Sequence, residues 1–99
     1  MAFVLRYSKE AHRILTELER DPTYAKKLKK IRRALAHLER DPRHPGLHVH
    51  KYESLTGPLK QSVFEAYVEN NTPSAWRIWF WYGPNEGEIT VLTIGPHPD

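Results

Sequence analysis

The sequence contains no cysteine, so disulfides and thiolate metal sites are excluded. No apolar run approaches the roughly 20 residues that a membrane-spanning helix needs. The N-terminal stretch Met1-Ala-Phe-Val-Leu-Arg6 is too short for the core of a signal peptide and reads as a strand. No low-complexity segment or change in composition divides the 99 residues. The expectation is one soluble, cytoplasmic domain spanning residues 1–99, without a membrane partner. A chain of this length hides about 60–70% of its unfolded surface, enough for one small core.

Basic residues are scarce after Tyr52, where only Lys60 and Arg77 occur. They are concentrated earlier. Residues 24–43 hold Lys26, Lys27, Lys29, Lys30, Arg32, Arg33, Arg40 and Arg43 against Glu39 and Asp41, a local charge of +6. Residues 65–99 hold Arg77 against Glu65, Glu69, Glu86, Glu88 and Asp99, a local charge of −4. A basic segment joined to an acidic one suits a polyanion or an acidic partner. It also suits a plain solvated helix face.

Periodicity gives the elements. Phe3, Leu5 and Tyr7 alternate with Val4 and Arg6, as in a short strand. Ser8 is placed to cap a helix whose Ala11, Ile14, Leu15 and Leu18 share one face. Leu18-Glu-Arg-Asp-Pro22 ends it, and Asp21 with Pro22 is placed to begin a second helix. Tyr24, Leu28, Ile31, Leu35 and Leu38 form the apolar stripe of that helix, which ends at Leu38-Glu-Arg-Asp-Pro42. The short link predicts an antiparallel helical hairpin. Residues 42–47 read as loop, and Leu47–Tyr52 alternates like a strand. Val63–Glu69, Ala75–Tyr82 and Ile89–Ile94 are further strands, separated by Asn70-Asn-Thr-Pro73 and Gly83-Pro-Asn-Glu-Gly87. The fold class is α+β: an N-terminal strand, then a helical hairpin packed on a curved, mainly antiparallel sheet.

A few side chains stand out within this pattern. Arg77 lies in the most apolar strand. A guanidinium there needs a partner, so it either pairs with Glu65 or Glu69 or meets an anion in a groove. His97 lies near the chain end, between Pro96 and Pro98, and an imidazole can act as acid or base near neutrality. On a strand, His48 and His50 share one face and Lys51 takes the other. His50 and Lys51 are therefore alternatives for one groove. The His-x-His pair raises a metal site, but no third ligand is evident. Trp79 and Trp81, on the face of Arg77, could stack on bases, though tryptophans beside aliphatic strands usually belong to a core.

Taken together, the chain resembles the RelE/ParE family of bacterial toxin components over nearly its full length. The likeness rests on a first strand ending in Tyr7-Ser8, two helices, His44-Pro45, His50-Lys51 and the Gly57 turn. It continues through Ala75-Trp-Arg-Ile-Trp-Phe80 and a final strand running into Ile94-Gly-Pro-His97. What the resemblance implies is a RelE-like fold and a toxin of a type II toxin–antitoxin system. The RelE branch cleaves messenger RNA on the ribosome by attack of the 2′-hydroxyl on the phosphodiester, with no metal or other cofactor. On that pattern Arg77, His97, Lys51 and His50 are the catalytic candidates. Lys26, Lys27, Lys30 and Arg33 are candidates for RNA backbone or for an acidic antitoxin. Expected partners are a cognate antitoxin and ribosome-bound mRNA. The alternatives are a ParE-like toxin that inhibits DNA gyrase, or a non-toxic protein-binding domain on the same scaffold. The chain departs from active relatives in its sparse basic residues after Tyr52 and in Glu65 and Glu69 beside the proposed site.

Overall fold

The computed structural model describes residues 2–98. Met1 of the first predicted strand stretch and Asp99 of the acidic segment lie outside them. The elements run β1 (Val4–Tyr7), α1 (Lys9–Arg20), α2 (Ala25–Arg40), β2 (His50–Thr56), β3 (Ser62–Tyr67), β4 (Trp76–Tyr82) and β5 (Glu88–Pro96). The sheet order is β1-β5-β4-β3-β2. β1 pairs parallel with β5, and the other pairs are antiparallel. Sequence and structure agree on the α+β architecture, with a helical hairpin on one face of a mainly antiparallel sheet.

Ser8 performs two tasks. Its Oγ accepts the Ala11 N–H at 3.0 Å, capping α1, and donates to the Leu92 carbonyl at 2.6 Å, tying that cap to β5. The second helix starts later than the Asp-Pro pair suggests. Asp21 accepts from the Thr23 N–H at 3.0 Å and caps a single 3₁₀ turn at Pro22–Tyr24; α2 begins only at Ala25. Tyr24 is consequently exposed, while Leu28, Ile31, Leu35 and Leu38 are buried.

These helical side chains pack on Ala66, Ile78, Phe80, Ile89, Val91 and Ile94 to make the main core. The opposite sheet face carries a smaller cluster of Val63, Trp79 and Trp81, with Tyr52, Leu55 and Leu92 against it. Both tryptophans are therefore core residues. An irregularity in the β4–β5 register helps to serve both faces. Trp79 pairs with Thr93 but Phe80 pairs with Val91, so Leu92 is an extra residue, as in a β-bulge.

Several strand limits differ from the sequence reading, among them the end of β2, which runs on to Thr56 rather than Tyr52. β2 begins at His50 rather than Leu47, because Pro45–Leu47 forms a 3₁₀ turn closed by His48 in the left-handed region, φ 47°. β3 stops at Tyr67, short of Glu69. β5 continues past Ile94 to Pro96, and the next residue is still tied down, since the His97 N–H donates to the Ala75 carbonyl at 2.9 Å.

Glu69 fastens α2 to the start of β4. It accepts from Lys27 Nζ at 2.6 Å, from Lys30 Nζ at 3.3 Å and from the Trp76 N–H at 3.1 Å. Burial pushes its carboxyl up, but these hydrogen bonds and the Lys27 charge outweigh burial and hold it below the usual glutamate range. A depressed carboxyl stabilises the fold above its unfolded value, about 4.3, and loses that contribution as pH falls through the folded value. Glu69→Gln should cost about 1–3 kcal/mol at neutral pH. In urea unfolding measured across pH, the gap from the wild type should close as the solution is acidified below the ordinary glutamate range.

Candidate functional site

The face of the sheet opposite the helices carries one charged residue that is nearly sealed. The Glu65 side chain is 2% exposed. Strand alternation sets it there: Val63, Glu65 and Tyr67 share a face of β3, while Phe64 and Ala66 face the helices. In register, His50 of β2 lies across from Glu65 on one side and Trp79 of β4 on the other.

Four donors converge on this carboxylate. His50 Nε2 is 3.0 Å from Oε1, and Arg77 Nε is 3.6 Å from the same oxygen. Trp79 Nε1 donates to Oε2 at 3.1 Å, and His97 Nε2 is 3.3 Å from Oε2. Taking a carboxylate out of water costs several kcal/mol unless charge and hydrogen bonds compensate. The guanidinium supplies the charge and the indole a hydrogen bond, and both imidazoles lie within ion-pair distance.

Arg77 is held on every side. Its Nη1 donates to the backbone carbonyls of Glu69 and Trp76, and its guanidinium carbon lies 3.6 Å from the centroid of the Tyr67 ring, a cation–π contact. Its side chain is 11% exposed. Its buried Nε faces Glu65 at ion-pair distance without a hydrogen bond, and Nη2 has no hydrogen-bond partner among the described residues. Of the two readings of Arg77 from the sequence, the structure shows the internal pair: the guanidinium meets Glu65, and it reaches Glu69 only through the backbone carbonyl.

The two imidazoles are the exposed members of the cluster, His50 at 48% and His97 at 37% side-chain exposure. His50 Nδ1 lies 2.7 Å from the His48 carbonyl, so both of its ring nitrogens face acceptors and both donate only as the imidazolium. His97 has only Nε2 engaged among the described residues. Tyr52 meets the His97 ring edge-on at 6.2 Å and leans on Trp79 at 5.7 Å. Tyr67 is flanked by His48 at 4.9 Å and by His50 edge-on at 6.0 Å.

Among the sequence candidates, Arg77, His97 and His50 come together on Glu65, and Lys51 does not. Lys51 sits on the other face of β2, with Nζ 3.8 Å from Glu53. His48 precedes the strand and contributes its carbonyl and ring to the surroundings. On α2, Lys27 and Lys30 are bound to Glu69, whereas Lys26 is exposed and Arg33 lines a separate pocket. No group of three or more His, Asp or Glu side chains among the described residues is arranged to hold a metal. No helix among them is long and apolar enough to cross a membrane. Sequence reasoning treated Glu65 only as a partner for Arg77 or as unwelcome negative charge. Its place at the centre was signalled by one acid alternating with apolar and aromatic residues in Val63-Phe-Glu-Ala-Tyr67.

No protein-family model and no curated protein matches the sequence. Solved structures do resemble the fold. The YoeB/ParE toxin from Agrobacterium tumefaciens superimposes with a TM-score of 0.68 at 13% identity, covering 96% of this chain and 99% of that one. A chain of the archaeal RelE–RelB complex from Pyrococcus horikoshii OT3 gives 0.61 at 17% identity, covering 97% and 96%. A YoeB dimer from Staphylococcus aureus gives 0.63 at 14% identity, covering 99% and 100%. The chain has the fold of the RelE/ParE/YoeB-type toxins, over essentially its whole length.

Because Glu65 compensates the buried guanidinium, its charge and not only its shape should matter. Glu65→Gln keeps an acceptor for Trp79 but leaves Arg77 unpaired. It should lower the unfolding free energy by about 3 kcal/mol, toward the lower end for breaking a buried ion pair. Chemical denaturation with an unchanged midpoint would show that the pair is not a stabilising one.

Proposed function

We propose that the chain is the toxin of a type II toxin–antitoxin pair and a metal-independent endoribonuclease acting on ribosome-bound mRNA. The observation that carries this reading is the pair of partly exposed imidazoles, His50 and His97, set on one buried carboxylate beside Arg77. RNA supplies its own nucleophile. The 2′-oxygen attacks the adjacent phosphorus, the bond from phosphorus to the 5′-oxygen breaks, and the products are a 2′,3′-cyclic phosphate and a 5′-hydroxyl. One group must accept the 2′-proton and another must give a proton to the departing 5′-oxygen.

His97 suits the base. Glu65 holds its Nε2, which leaves Nδ1 to receive the proton. A carboxylate behind a histidine base orients the ring and stabilises the imidazolium that forms. His50 is assigned the acid, because its half-exposed ring can turn an N–H from the His48 carbonyl toward the leaving 5′-oxygen. The Nη2 end of Arg77 stands for the charge that meets the equatorial oxygens. Lys51 and the α2 cations Lys26, Lys27, Lys30 and Arg33 would add sequence-independent attraction to RNA backbone. A cognate antitoxin and a cytoplasmic location belong to the same proposal. The small exposed area of Arg77 is the observation that favours a second reading, a ParE-like gyrase poison or a protein-binding domain. In either of those the buried cluster would be purely structural.

A purified translation system separates the two. The wild type should cut mRNA on the ribosome with or without a chelator, leaving a cyclic phosphate on the 3′ end of the upstream fragment and a 5′-hydroxyl on the downstream one. His97→Ala and His50→Ala should each slow cutting by about 10²-fold or more. Intact mRNA at stoichiometric protein would end the nuclease reading, and accumulation of gyrase-linked DNA breaks would favour the second.

A further inference from the structure

A concavity lies beside the Glu65 cluster. It has a volume of about 430 Å³, within the range of small-ligand sites. One wall is α2, with Lys30, Arg33 and His37; another is the turn bearing His44; the floor reaches Tyr67 and the loop after it. Its chemistry differs from that of the Glu65 cluster. The rings of His37 and His44 are stacked 4.0 Å apart at 24°. His44 Nδ1 accepts the Gly46 N–H at 3.0 Å, which fixes that ring, and the pair offers a flat surface of the kind on which bases stack.

Arg33 is the free cation. It makes no ion pair among the described residues. Lys30, 57% exposed, is engaged by Glu69 at 3.3 Å. Glu69 is the acid of the pocket, and both of its oxygens are already occupied, Oε1 by Lys27 and the Trp76 N–H and Oε2 by Lys30. The proton affinity of His37 is lowered first by partial burial and then by the charges of His44, Arg33 and Arg40. An anion seated here would relieve that repulsion. Asn70 and Thr72 line the same space and supply donors and acceptors for a base edge.

Tyr67 joins this pocket to the Glu65 cluster. It lines the pocket, carries the Arg77 guanidinium on its ring, and lies two residues along β3 from Glu65, about 7 Å away. The two sites are therefore neighbours, close enough for one strand to touch both.

We propose that this pocket is a nucleotide subsite for the RNA strand held at the Glu65 cluster, with a base on the His37–His44 stack and its phosphate on Arg33. This rests on the nuclease reading. A nucleotide fits better than an acidic peptide because the cations are few and the ring surface is large.

A short oligoribonucleotide, 2′-O-methylated throughout so that it cannot be cut, tests both sites at once. Histidine ring resonances of the intact protein are followed by NMR during titration. His37 and His44 should move together with His50 and His97. Arg33→Gln should weaken binding by about tenfold, the loss of one charge-assisted contact. Lys29→Gln, which removes one exposed charge from the same helix outside the pocket, should weaken it by less than about threefold. Movement of His50 and His97 alone would overturn the subsite and leave the nuclease reading standing. Movement of His37 and His44 alone would remove the nuclease reading, and with it a strand shared between the sites. No movement at all would remove both. Tighter binding by a free mononucleotide, or equal shifts with a polyaspartate peptide, would also overturn the subsite by assigning the pocket to another ligand.

Discussion

A single carboxylate buried in the face of a β-sheet organises this molecule's chemistry. Glu65 cannot remain ionised there without compensation, and each of its neighbours answers that requirement. Arg77 brings the opposite charge at 3.6 Å, Trp79 donates a hydrogen bond at 3.1 Å, and the ring nitrogens of His50 and His97 approach to 3.0 and 3.3 Å. Those four residues come from β2, β4 and the end of β5. Satisfying one acid therefore fixes three segments relative to β3. It also leaves two imidazoles at the surface with their orientation determined from behind.

The fold supplies this arrangement through register. The hairpin partners of β3 place His50 and Trp79 directly across from Glu65. β5 runs past its last aliphatic residue into Gly95 and Pro96 and delivers His97 from a paired backbone. The helices take no part in the cluster. They cover the other face and form the main core. This division lets α2 carry a strongly basic surface without perturbing the buried acid, with Glu69 as the one bridge between the two.

Much of this architecture could be read from the sequence. The helical stripes and the alternating strands rest on periodicity, which is a local property, and their burial matches the expected faces. The boundaries were less legible where polar caps decide them. Asp21 spends its side chain on a 3₁₀ turn before α2, and His48 adopts a left-handed conformation that no pattern announces. Among the site candidates, Arg77 was conspicuous because a guanidinium in an apolar strand demands an explanation. Glu65 was not recognised as the centre, because its role depends on which residues lie opposite it on other strands, a nonlocal fact. The tension between His50 and Lys51 was correctly located on opposite faces of β2. Choosing between them required knowing which face meets Glu65. The pocket of Arg33, His37 and His44 joins a helix to a turn through packing alone.

The central claim is that Glu65 works through His97, as one unit. A double-mutant cycle on ribosome-dependent mRNA cleavage measures this directly, using Glu65→Gln, His97→Ala and the combination, each verified as folded. Groups that act as a unit lose their effect together, so the double variant should be no slower than the slower of the two single variants. If the two losses multiply, the carboxylate and the imidazole act independently, and the organising role assigned to Glu65 is wrong.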